Sequence, residues 1–116
     1  MKLLNKKPVL LTLTAGALLF AISVLTPSSD AAYFQSAKSL YLSKCAVCHG
    51  NDGSANTAKG KELKVRPLNS AEFKKMTDAK ALEIILKGKG KMEAYEKTLG
   101  KEKCEMLLAY CRELGK

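Results

Sequence analysis

An uncharged and largely apolar run extends from Val9 to Leu25, and the pattern changes character after it. Lys2, Lys6 and Lys7 precede the run, and Thr26-Pro27-Ser28-Ser29-Asp30-Ala31-Ala32 follows, with small residues at Ser29 and Ala31. A basic start, an apolar middle and a small-residue exit form the layout of an export signal, which predicts cleavage after Ala31. As a helix the run would reach about 26 Å, slightly under a bilayer core, so an uncleaved membrane anchor is the alternative. Residues 1–31 are thus read as a signal peptide, with an uncleaved anchor as the alternative, and residues 32–116 as one domain delivered outside the cytoplasm.

Downstream, the apolar positions shorten into helical patterns. Tyr33, Phe34, Ala37, Leu40, Tyr41 and Cys45 recur at intervals of three and four, predicting an amphipathic helix from Tyr33 to about Ala46. From Gly50 to Pro67 the composition turns polar and Gly-rich, a loop with Asn51-Asp52-Gly53 as a turn, Gly60 as a break and one helical turn near Lys59 to Leu63. Asn69 or Ser70 caps a short helix ending at Lys75, and Thr77 or Asp78 caps another that stops at Gly88. In the latter, Ala81, Leu82, Ile84, Ile85 and Leu86 are too dense for a surface helix and call for burial against something large and flat. A loop from Gly88 to Leu99 leads to a last helix, Lys101 to Leu114, with Cys104, Leu107, Leu108, Cys111 and Leu114 on one face and Gly115 as its stop. No stretch alternates like a strand, so the expected class is all-α.

The 116 residues carry a formal net charge of +9. A domain of this size stands near the lower limit for a self-sufficient core and needs a staple such as a disulfide, a metal or a cofactor. Basic charge can signal nucleic acid, but no nucleic-acid motif is present and an exported chain would rarely meet that partner. Lys87, Lys89, Lys91, Lys97, Lys101 and Lys103 outnumber Glu93, Glu96 and Glu102 near the C-terminal end, which suits redox protein partners with an acidic docking surface.

The candidate staple is Cys45-Ala46-Val47-Cys48-His49. Two thiols three residues apart and an adjoining imidazole meet the needs of covalent haem c attachment: the thiols add to the haem vinyl groups and the histidine ligates iron. A zinc site would need a second ligand pair, and a thioredoxin-like pair would need a βαβ pattern; neither is present. The opposite face of the iron requires another ligand, and Met92, in the Gly-rich run Gly88-Lys89-Gly90-Lys91-Met92, is the best candidate. Cys104 and Cys111 lie about 10.5 Å apart along one helix, too far for a mutual disulfide, and read as small buried hydrophobes, with an intermolecular bridge through whichever one is exposed as the alternative.

From Ala37 to Leu114 the chain resembles a small single-haem class I cytochrome c of the bacterial type. The resemblance is carried by Ala37-Lys38-Ser39-Leu40-Tyr41, Cys45-Ala46-Val47-Cys48-His49-Gly50, Asn51-Asp52-Gly53, the segment Leu63 to Leu68, the run ending at Met92, Ala94-Tyr95 and Ala109-Tyr110. It implies a cytochrome c fold, all helical, with the first and last helices crossing, the haem in a slot and a Gly-rich distal ligand loop. It implies thioethers at Cys45 and Cys48, proximal ligation by His49 and distal ligation by Met92. Ala37 and Ala55 stand where the family usually has glycine, so a wider helix crossing and a differently turned loop are expected. Ala58 stands where a proline is common, in a loop whose backbone carbonyl should accept the His49 Nδ1 proton. Glu93 replaces the proline usual after the methionine, which should leave that loop less rigid. Arg66 is a candidate partner for a haem propionate. The expected function is a periplasmic one-electron carrier with no substrate turnover, monomeric, and touching a membrane only if the N-terminal segment is uncleaved. A haem sensor or peroxidase-like enzyme with an open distal site, and an electron-entry subunit of a larger oxidoreductase, are the alternatives.

Overall fold

A computed structural model of the chain describes residues 28–116; the apolar core of the expected export signal lies outside the described residues. The first helix, α1 (Ser29–Lys44), starts ahead of the expected cleavage point, and its N-cap Ser28 accepts a hydrogen bond from the Ala31 N–H. After a break at Cys45 come α2 (Ala46–His49) and α3 (Ala58–Glu62), the latter capped by Thr57. Ser70 caps α4 (Ala71–Lys75) and Thr77 caps α5 (Asp78–Lys87), each hydroxyl accepting from the N–H three residues on, as the sequence leads one to expect. The chain closes with α6 (Glu96–Leu99) and α7 (Lys101–Leu114). Among the described residues there is no strand, and no helix is long and apolar enough to cross a membrane.

The segment from Gly88 to Leu99, expected to be wholly loop, contains the single turn α6. Four residues are too few to show a period, and α6 exists because Leu99 packs into the core on both sides of α7. Gly100, at φ +81°, then swings the chain into α7.

Helix α7 is the spine. Its pairing with α1 is the most extensive between helices, and its pairing with α5 comes next. On the α1 side, Ala37 and Tyr41 meet Leu107, Tyr110 and Cys111, with Ala46 and Leu68 closing the cluster. Leu107, 1% exposed, contributes about 1.5–3 kcal/mol by burial alone. Tyr110 lies between Phe34 and Tyr41, each ring centroid 5.2 Å away and tilted, a geometry worth about 0.5–1.5 kcal/mol per pair beyond area. The apolar face of α1 is shorter than the sequence suggests: Tyr33 and Phe34 remain 47% and 45% exposed, and neither belongs to the buried cluster that Ala37 and Tyr41 join.

On the α5 side, Ala81 and Ile85 meet Cys104 and Leu108, with Met92 and Tyr95 packed against them. Cys104 and Cys111 are therefore both buried, free thiols in two different clusters of one helix. Arg112 locks this arrangement. Its guanidinium donates to the carbonyls of Phe73 (2.6 Å) and Met76 (2.5 Å), pairs with Asp78 at 2.9 Å and sits 4.5 Å from the centroid of the Phe73 ring. Asp78 is mostly exposed, so the ion pair adds little, and the bonds to the end of α4 carry the clamp.

Candidate haem site

Cys45, Cys48 and His49 are brought together by a break between α1 and α2. At Cys45 the carbonyl receives two N–H groups, those of Cys48 (3.1 Å) and His49 (2.9 Å), and Gly50 N–H donates to Ala46 O (2.8 Å). This tight turn orphans the neighbouring carbonyls, which must find partners elsewhere. Each does. Lys44 O accepts from the Tyr95 hydroxyl (3.2 Å), Val47 O and Cys48 O share the Thr57 hydroxyl (2.8 and 3.2 Å), His49 O accepts from Ala55 N–H (2.7 Å) and Gly50 O from the Tyr41 hydroxyl (2.7 Å). Three hydroxyls from α1, the Thr57 loop and the Met92 segment thus hold one short motif from three directions.

Ala55 reaches His49 O by taking φ +58°, the left-handed region, at a cost of about 1 kcal/mol for a residue with a Cβ. The loop thus takes a glycine-type conformation with alanine in it. Gly60, read from sequence as a break, has a packing role instead. A Cβ there would collide with the backbone carbonyls of Cys48 and Ala55, so α3 lies directly against the back of the motif. Gly60→Ala is expected to destabilise the protein by roughly 1–3 kcal/mol and to lower the yield of haem-loaded chain. Thermal unfolding and the haem-to-protein absorbance ratio check this, and a variant matching wild type on both would show that the contact is slack.

The imidazole of His49 is half-buried, and burial holds its pKa below the ordinary histidine value, favouring the neutral ring. Its Nδ1 is the one buried side-chain nitrogen or oxygen with no hydrogen-bond partner among the described residues. The expected carbonyl near Ala58 does not serve it. The neutral ring is the form that ligates a metal, and with Nδ1 carrying the proton the ligating nitrogen would be Nε2; among the described residues no hydrogen bond fixes that tautomer. Burial, with Cys104 and Cys48 near, pushes the Cys45 thiol up to about 11, and burial likewise pushes Cys111 up to about 12. Val47, between the two cysteines, is 67% exposed, so the motif opens to the surface.

Met92 ends a two-residue reverse turn closed by reciprocal bonds: Lys89 N–H to Met92 O (3.1 Å) and Met92 N–H to Lys89 O (3.0 Å). Gly88, at φ +74°, allows this because a Cβ there would stand 2.6 Å from Met92 O. The turn supplies stiffness that the missing proline does not. Met92 is half-buried against the α5–α7 cluster, and Tyr95 reaches from the same segment to Lys44, beside Cys45. The sequence gives no sign of this role for Tyr95, nor of the like roles of Tyr41 and Thr57. Arg66 pairs with exposed Glu72 at 2.6 Å, which gives it a protein partner on the surface.

Comparison with known proteins agrees with this geometry. The family described as cytochrome c oxidase, cbb3-type, subunit III matches residues 32–111. A cytochrome c6-like protein of Nostoc sp. (strain PCC 7120) is 31% identical over 103 residues, 89% of this chain and 90% of the relative. The cbb3-type cytochrome c oxidase subunit CcoP of Azospirillum brasilense is 31% identical over 98 residues, 83% of this chain, which spans only 33% of that subunit. Among solved structures, the KustC0563 c-type cytochrome superposes with a TM-score of 0.63 at 32% identity, covering 69% of this chain and 98% of the other. With a thiol-thiol-imidazole turn pinned between α1, α3 and the Met92 segment, the chain belongs to the cytochrome family described as cbb3-type oxidase subunit III, as a small class I c-type cytochrome that carries covalent haem c.

Proposed function

We propose that this electron-transfer cytochrome is an exported, periplasmic one-electron carrier, with Cys45 and Cys48 as the haem thioethers and His49 and Met92 as the axial ligands. The bound haem supplies the chemistry, a single reversible Fe(II)/Fe(III) change. The chain's own residues do the rest. Tyr41, Thr57 and Tyr95 hold the backbone of the attachment turn, the apolar face of α5 excludes water, and the 89–92 turn holds a neutral sulfur in place. With both axial positions taken there is no open site for substrate, so no turnover is expected.

The observation that carries this reading is the placement of Met92: a closed turn, half-buried on the α5–α7 cluster and tied through Tyr95 to the residue before Cys45. The near-complete length match to the c6-like relative supports a free carrier. The match to subunit CcoP favours a second reading, an electron-entry subunit of an oxidase. The two separate on fractionation: a carrier leaves the cell envelope in the soluble fraction as a monomer, whereas a subunit stays with the oxidase.

Partner docking follows from charge. Lys87 pairs with Glu83 and Lys101 with Glu105, so the basic surplus near the Met92 turn is smaller than a count over residues 87–103 gives. Lys89 and Lys91 still flank Met92 in the exposed turn. Encounter with an acidic partner should therefore be steered, with rates rising toward about 10⁸ M⁻¹s⁻¹ at low salt. Stopped-flow electron transfer across a salt series checks it; rates indifferent to salt, or rising with it, would reduce these lysines to solvation.

A further inference from the structure

We infer that Tyr95 is a positioning residue that couples the Met92 segment to the haem-attachment turn and sets how readily Met92 leaves the iron. The inference rests on the reading of Met92 as distal ligand.

Tyr95 is bonded at both ends. Its backbone N–H donates to Ile85 O in the last turn of α5 (3.1 Å), and its hydroxyl donates to Lys44 O (3.2 Å), across 51 residues of sequence. Lys44 O is the last carbonyl of α1, left without a helical partner because Cys48 N–H and His49 N–H both turn to Cys45 O. The hydroxyl therefore answers a need created by the attachment turn itself. Burial, with Cys45 and Glu93 nearby, raises its pKa, so the donor proton stays in place.

Between Met92 and Tyr95 lie only Glu93 and Ala94, both exposed. On the other side Met92 is closed by its turn onto Lys89, which hangs from Gly88 at the end of α5. Outward movement of Met92 must consequently swing on Gly88 and on Tyr95. The first hinge is close-packed glycine backbone; the second is held to the attachment turn by one hydroxyl. Because residue 93 is glutamate rather than a ring-stiffened proline, the restraint on that side falls to Tyr95, whose backbone is held to α5 and whose hydroxyl alone ties it to the attachment turn.

The test uses the holoprotein of Tyr95→Phe, which keeps the ring and its packing and deletes only the hydroxyl. Imidazole association with the oxidised protein, which requires Met92 to leave, should be about fivefold faster than in wild type, the effect of one net hydrogen bond. Hydrogen exchange at the Met92 amide should quicken alongside. Ser70→Ala is the comparison: it removes the α4 cap, a bond from Phe73 N–H at 3.3 Å, and lowers global stability without touching this path. Its imidazole rate should match wild type. Equal rates for Tyr95→Phe and wild type, or equal acceleration in Ser70→Ala, would overturn the inference while leaving Met92 as ligand. A wild type with no methionine-to-iron charge-transfer band would overturn the ligand assignment first, and the coupling with it.

Discussion

Met92→Ala lowers the reduction potential by at least about 100 mV, within the roughly 0.8 V that axial-ligand identity spans, and opens the iron to carbon monoxide, peroxide and imidazole. A thioether is a soft, neutral donor that favours Fe(II), and about 100 mV corresponds to roughly 2.3 kcal/mol of that preference in a one-electron couple. The loss should come without unfolding. Met92 is half-buried on the rim of the α5–α7 cluster, whereas Ile85, Cys104 and Leu108 form its buried centre. Equilibrium redox titration reads the first effect and ligand-binding kinetics the second. A variant with wild-type potential and wild-type resistance to carbon monoxide would remove Met92 from the iron altogether.

The other large effect is at the cysteines. In wild type, haem should stay with the polypeptide through denaturation, on a gel stained for haem and in acid solvent. Cys45→Ser and Cys48→Ser each leave one thioether and should lower holoprotein yield; the double variant should release all of its haem on denaturation. Both side chains are half-buried on one turn whose carbonyls are each partnered, so serine, of nearly the same shape, is not expected to disturb the backbone. Haem extracted by acid solvent from wild type would contradict covalent attachment.

The helices were legible where apolar period and caps agree. Ser70 and Thr77 cap α4 and α5, Gly88 stops α5, and α7 runs from Lys101 to Leu114 with Cys104, Leu107, Leu108 and Cys111 buried, all readable from spacing. The attachment motif was legible because its chemistry is local. What holds the motif was not. Tyr41, Thr57 and Tyr95 act through single hydroxyls on carbonyls 9, 10 and 51 residues away, and no periodicity encodes such a reach. Tyr41 even hid inside an apolar pattern that it also satisfies. Gly60 looked like a breaker because sequence shows the missing side chain and not the carbonyls it makes room for. The pairing of Lys87 and Lys101 with Glu83 and Glu105 follows helical spacing and could have been found by extending the charge count one turn each way.

Iron held by both His49 and Met92 would move electrons without binding substrate. Absorption and magnetic spectra of the oxidised, exported protein near neutral pH test it most directly. The expected result is low-spin iron with a methionine-to-iron charge-transfer band, and a reduced form that resists carbon monoxide. High-spin iron, or carbon monoxide binding as fast as in Met92→Ala, would contradict it and favour a sensor or peroxidase-like protein with an open distal site.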